Sequence, residues 1–137
     1  MSAKNILRIL IIEDTPERQK ILQQLYRDHA WMMVHTADRA IRLLNAYQFD
    51  IISLDYDIAG EGTGDQVAKV IRDSSSSSAR VIIHSMNPCG REKILKFLPH
   101  SIVMPLSRMT KNNATFKRLR NELSRGIEFD WSFISKK

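Results

Sequence analysis

Short apolar runs alternate with longer amphipathic stretches along the whole chain. The first run, ILRILII at residues 6–12, is mostly apolar and rich in β-branched residues, as expected of a strand buried on both faces. EDTPER follows it, with Thr15 as an N-cap and Pro16 as first helical residue. Ile21, Leu22 and Leu25 then recur at helical spacing to about residue 29. WMMVHT (31–36) predicts a second strand, and Thr36 caps the helix ADRAIRLLNAY. FDIISL (49–54) predicts a third strand, AGEGTG a loop and DQVAKVIRD a helix. The serine run at 74–78 reads as a flexible surface link. RVIIHS (80–85) predicts a fourth strand, after which Asn87 caps a helix that Pro88 opens. SIVMP (101–105) predicts a fifth strand. The last helix, NNATFKRLRNELSRG, turns Phe116, Leu119 and Leu123 inward and ends at Gly126. Beyond it, apolar residues in IEFDWSFISKK either pack back on the domain or meet a partner.

Strand and helix thus alternate five times. That alternation predicts an α/β fold, a five-stranded parallel sheet with helices on both faces; in the flavodoxin-like order 2-1-3-4-5 the order reverses between the first and third strands. At 137 residues the chain reads as one domain at 1–125 with a C-terminal tail at 126–137. An apolar share of 43% is enough for a core without disulfides or metal staples. The single cysteine, Cys89, excludes an internal disulfide and fits a cytoplasmic protein; it reads as a small packing residue. No apolar run is long enough to span a membrane, and the N-terminal run, with acids directly after it, reads as a strand rather than a signal peptide. The net charge of +6 is concentrated at the C-terminal end. From residue 107 on, Arg108, Lys111, Lys117, Arg118, Arg120, Arg125, Lys136 and Lys137 stand against Glu122, Glu128 and Asp130. This is either a solvated helix face and tail or an anion-facing patch for RNA or an acidic partner.

In such a sheet ligands bind beyond the carboxyl ends of the strands, where the strand order reverses. The first strand ends in Glu13 and Asp14, the third in Asp55 with Asp57 two residues on, and the fourth in His84 and Ser85. Carboxylates gathered on one edge repel unless a cation joins them, and hard oxygen donors without cysteine suit Mg²⁺ or Mn²⁺. Asp14 and Asp55 are assigned as direct ligands and Glu13 as direct or water-mediated; Asp57 is a further ligand or orients a neighbour. His84 suits acid–base work, and Ser85 and Asn87 suit donation to an oxyanion. His29, His35 and His100 are read as structural, with His35 close enough to reach the rim.

Over nearly its whole length the chain resembles bacterial response-regulator receiver domains. Glu13-Asp14, Asp55 and Ser85 match the receiver's metal-binding acids, phosphoacceptor aspartate and hydroxyl residue. Met104 stands where receivers carry a lysine. ISLDYDIAGEGTGDQV and VIIHSMNPCGREKI resemble a narrower branch, the cyclic-phosphate-processing receiver domains: Asp55, Asp57, Thr63, Gly64, His84, Ser85, Asn87, Pro88 and Gly90 match its motifs, and Tyr56 replaces its usual histidine.

The resemblance implies two functions. One is a metal-dependent phosphoesterase acting on cyclic phosphates such as RNA 2′,3′-cyclic ends. In it Asp55, Asp57, His84, Ser85 and Asn87 serve catalysis, His84 protonating the leaving oxygen or holding the phosphate. The other is a signalling domain, phosphorylated at Asp55 by a histidine kinase or acting on other signalling proteins without phosphorylation.

Overall fold

The computed structural model describes residues 5–134. The apolar runs form strands β1 (Arg8–Ile12), β2 (Ala30–Val34), β3 (Ile51–Leu54), β4 (Arg80–Ile83) and β5 (Ile102–Val103). All are parallel, in one sheet of order β2-β1-β3-β4-β5, as expected. Between them run α1 (Pro16–Leu25), α2 (Ala37–Ala46), α3 (Gly64–Arg72) and α4 (Pro88–Phe97); α5 (Leu106–Met109) and α6 (Asn113–Glu122) follow the last strand. The central strands β1, β3 and β4 are buried on both faces because alternate residues serve opposite cores, whereas β2, at the sheet edge, exposes Ala30, Trp31 and Met32. Ile9 and Ile11 pack with Leu22, Leu25, Leu119 and Leu123 of the α1/α6 side, whereas Leu10 and Ile12 pack with Ala40, Leu44, Val67 and Ile94 of the α2/α3/α4 side.

Several boundaries differ from the sequence expectation, each for a local reason. α1 stops at Leu25, four residues early, because His29 Nδ1 accepts the Leu7 N–H at 3.0 Å and turns the chain into β2. β5 has only two residues. Met104 N–H reaches the Ile83 carbonyl at 2.9 Å and Leu106 N–H the His84 carbonyl at 3.2 Å, and the chain leaves the sheet at Pro105. The unexpected α5 starts directly after that proline. The serine run is not a free link: Ser76 is buried, and its hydroxyl accepts the Phe49 N–H at 2.8 Å. The final helix ends at Glu122, and a 3₁₀ stretch, Leu123–Glu128, carries Gly126 in the left-handed region. The aromatic tail packs back. Phe129 and Trp131 lie in the same core as Leu119, and Trp131 Nε1 donates to the Leu119 carbonyl at 3.1 Å. Lys136 and Lys137 of the expected basic patch lie outside the described residues. Among the described residues, no helix is long and apolar enough to cross a membrane.

Candidate metal and phosphoryl site

The register of the sheet assembles the site. Ile12, Leu54 and Ile83 are aligned across β1, β3 and β4, so the next residues, Glu13, Asp55 and His84, emerge side by side. Their backbones still follow the ladder: Asp55 N–H bonds the Ile12 carbonyl at 3.2 Å and His84 N–H the Leu54 carbonyl at 3.1 Å. Glu13, Asp55 and His84 each offer a ligand atom within 4.8 Å of the others, and all three are buried.

His84 lies behind the carboxylates rather than facing the cleft. It has no exposed surface, Nε2 is 2.8 Å from Glu13 Oε1 and Nδ1 is 2.9 Å from Ser53 Oγ. An ionised carboxylate only accepts, so Nε2 carries the proton shared with Glu13. Burial alone would raise the Glu13 carboxyl, but the hydrogen bond and field of His84, with the Thr15 N–H at 3.0 Å, hold it below the usual carboxylate range. On the far side of Ser53, the buried Tyr26 hydroxyl sits close by without completing a hydrogen bond, and its burial pushes that hydroxyl's pKa up.

Asp55 is the strained member. Its Oδ1 accepts the Tyr56 N–H at 2.8 Å, but the buried Oδ2 has no hydrogen-bond partner. Burial, reinforced by the neighbouring Glu13 charge against the opposing pull of His84, pushes its carboxyl up to about 6. The nearest cation to Oδ2 is the Arg18 guanidinium on α1, at 3.6 Å. Two adjacent carboxylates, one with an orphaned buried oxygen, fit a hard divalent cation. The oxygens of Glu13 and Asp55 would hold it. Asp14 does not join the three-residue cluster; it is half-buried at the rim beside Thr15.

The loop after β3 and the start of α4 form the mouth. Asn87 uses its Oδ1 to cap the Gly90 N–H at 3.0 Å and its Nδ2 to hold Asp57 Oδ2 at 3.1 Å. Ser85 Oγ accepts the Asn87 N–H at 3.1 Å, and Arg91 braces the Ser85 carbonyl at 3.0 Å. Two glycines let these segments close on each other. A Cβ on Gly64 would lie 2.2 Å from the Asp55 carbonyl oxygen, and one on Gly90 2.3 Å from the Tyr56 ring. Tyr56 therefore fills the gap over α4, with Lys93 Nζ 3.2 Å from its hydroxyl. His35 reaches the rim only as a partner of Gln19, at 2.8 Å. Cys89, expected as a packing residue, is exposed because the first turn of α4 presents it to solvent. Met104 is buried in the core and brings no charge to the site.

Ser53 and Arg18 were not anticipated. The signal for Ser53 was present, a lone hydroxyl within the otherwise apolar third strand. Arg18 has no such signal, since a cation early in an amphipathic helix is ordinary.

A parallel 2-1-3-4-5 sheet with an acidic cluster at its carboxyl edge is the arrangement of a receiver domain. Residues 8–100 match the model of the cyclic-phosphate processing receiver domain, and the chain belongs to that family. No curated protein sequence matches it. Among solved structures it is similar to the phosphorylated cyanobacterial phytochrome response regulator RcpA (TM-score 0.71, 16% identity, covering 88% of this chain and 95% of that one). It is also similar to the receiver domain of sensor histidine kinase PA1611 from Pseudomonas aeruginosa, with a magnesium ion coordinated in its active-site cleft (TM-score 0.66, 20% identity, 89% and 98%). A third is the response regulator TrrA from Thermotoga maritima in complex with Mg²⁺–BeF (TM-score 0.62, 19% identity, 82% and 97%). At these identities the likeness establishes the shared fold.

Proposed function

We propose that this chain is a divalent-metal-dependent phosphoesterase that opens cyclic phosphates, with RNA 2′,3′-cyclic ends as the substrate class. The observation that carries this reading is Asp57, an exposed carboxylate at the mouth, oriented by Asn87. Acceptance of a phosphoryl group on Asp55 has no use for it, whereas hydrolysis needs a base to take a proton from water. Mg²⁺ or Mn²⁺ bound by Glu13 and Asp55, with Asp14 at the rim, would neutralise their charge and polarise a phosphoryl oxygen. Asp57 takes the proton as the water oxygen bonds to phosphorus. The bond to one ribose oxygen breaks, that oxygen takes a proton from solvent water, and Asp57 returns its own proton to solvent, leaving a phosphomonoester and a hydroxyl. Ser85, whose oxygen is already accepting from Asn87, keeps its own O–H to donate to a phosphoryl oxygen. Asn87 acts through Asp57 rather than on the substrate. His84, with both nitrogens engaged, is assigned to holding Glu13 in place. The basic surface of α6 would favour an RNA backbone. We place the protein in the cytoplasm, where an exposed unpaired Cys89 stays reduced.

A second reading rests on Asp55 Oδ2: a buried carboxylate oxygen without a partner also fits a phosphoacceptor in a signalling domain served by a histidine kinase. One experiment separates the two. Phosphorus NMR of 2′,3′-cyclic nucleotides and cyclic-ended RNA with Mg²⁺ or Mn²⁺ is expected to show conversion to the monoester, slowed roughly 10²–10⁴-fold by Asp57→Asn. No turnover on any cyclic phosphate, with a phosphoryl mass shift at Asp55 under acetyl phosphate, overturns the enzyme in favour of the signalling domain.

A further inference from the structure

We propose that Arg18 is the cation that receives the phosphoryl group at Asp55. This rests on the phosphoryl site proposed above and adds to it a binding residue on α1. Asp55 Oδ2 is buried and without a hydrogen-bond partner, and the Arg18 guanidinium stands 3.6 Å from it, beyond hydrogen-bond reach. That separation keeps the guanidinium uncommitted. Among the described residues no other ion pair or hydrogen bond holds Arg18, and its side chain is 38% exposed, so it is free to swing toward a ligand in the mouth. The other cations nearby are engaged: Arg91 is committed to the Ser85 carbonyl and Lys93 to the Tyr56 hydroxyl. The side chain following β5, Met104, is apolar and buried. A phosphoryl group beside Asp55 brings negative charge next to two carboxylates, and Arg18 is the side chain placed to meet it. Its planar fork matches two phosphoryl oxygens at once, which an ammonium does not.

The ligand is a phosphoryl group, either of a bound cyclic phosphate or of phosphorylated Asp55, and the test has an arm for each. Calorimetry on the full chain measures binding of Mg²⁺ alone, of beryllofluoride with Mg²⁺, and of a 2′,3′-cyclic nucleotide with Mg²⁺. Arg18→Ala is expected to weaken the phosphoryl probe roughly ten- to hundred-fold, with Arg18→Lys recovering part of the loss. Mg²⁺ alone should bind Arg18→Ala at least as tightly as wild type, because the guanidinium no longer competes for Oδ2. A loss confined to the cyclic nucleotide assigns the phosphate to substrate, and one confined to beryllofluoride assigns it to Asp55. Equal affinity of Arg18→Ala and wild type for both probes overturns the proposal. So does a parallel loss of Mg²⁺ binding, or a wild type that binds neither probe. A wild type that hydrolyses no cyclic phosphate yet binds beryllofluoride through Arg18 leaves this proposal standing and removes the phosphoesterase.

Discussion

Asp55 carries an unrelieved cost: a carboxylate stripped of water, with one oxygen unbonded and Glu13 beside it. Burial pushes its carboxyl up to about 6 in the fold, above where it titrates in the unfolded chain, so the folded state binds the proton more tightly. The stability it contributes is therefore full below the unfolded value and is lost as pH rises through about 6. Asp55→Asn removes that titration and keeps the Oδ1 acceptor for the Tyr56 N–H. Without metal the variant is expected to be more stable than wild type at pH 7.5, by roughly 1–3 kcal/mol, with the gap closing near pH 4. Urea unfolding at both pH values checks this, and a variant no more stable at pH 7.5 refutes it. Added Mg²⁺ should reverse the order, since only wild type gains by mass action. His84 behaves oppositely. His84→Ala leaves Glu13 Oε1 and the Ser53 hydroxyl without their imidazole partner in a dry interior, at a cost of about 3–5 kcal/mol, which a large fall in the urea midpoint would register. Its loss of activity would thus report on the fold as much as on chemistry. The sequence made all these residue types visible but not their facing. His84 reads as a cleft imidazole until Ser53, thirty-one positions away, claims its other nitrogen.

At the scale of elements, the central strands were legible because burial on both faces leaves continuous apolar runs, and the caps Thr36 and Asn87 were legible because their side chains bond backbone N–H groups at helix starts, as Asn112, not anticipated, also does. Thr15 occupies the N-cap of α1 but makes no side-chain cap bond, its hydroxyl facing Asp14 Oδ1 at 3.5 Å instead. What local pattern could not show was why Gly64 and Gly90 stand where they do, because the reason is contact between segments. Gly64 abuts the backbone of Asp55, which cannot yield, whereas Gly90 abuts the Tyr56 side chain, which can be removed. Gly64→Ala is therefore expected to destabilise by roughly 1–3 kcal/mol or more whatever stands at position 56. Gly90→Ala should cost a similar amount in wild type and much less in a Tyr56→Ala background. A double-mutant cycle by thermal unfolding reads the difference; additive Gly90 and Tyr56 effects would show that the ring moves aside freely.

For the molecule as a whole, the parallel sheet followed from the alternation of elements, and its order, with the edge that carries the site, from the resemblance to receiver domains. Where the tail packs did not follow, because its apolar residues look the same whether they face a partner or their own core. Of the two alternatives for the tail, the structure takes packing back: Phe129 and Trp131 share the core of β1, α1 and α6. They pack edge to face with ring centroids 5.2 Å apart, and Trp131 Nε1 satisfies the Leu119 carbonyl at the end of α6. Arg80, the first residue of β4, lies 4.0 Å over the Phe129 ring and donates to the Ile127 and Phe129 carbonyls. The segment thus ties the last helix to β4, the strand directly before His84. Replacing one buried aromatic by alanine costs about 3–5 kcal/mol, and a domain of this size holds only about 5–15 kcal/mol in total. A chain ending at residue 125 is therefore expected to lose cooperative thermal unfolding, and Trp131→Ala alone to lower the midpoint by well over 5 °C. Circular dichroism and limited proteolysis measure both. A truncated chain that still melts cooperatively near the wild-type midpoint would show that residues 1–125 fold as a domain without the segment that now covers their core.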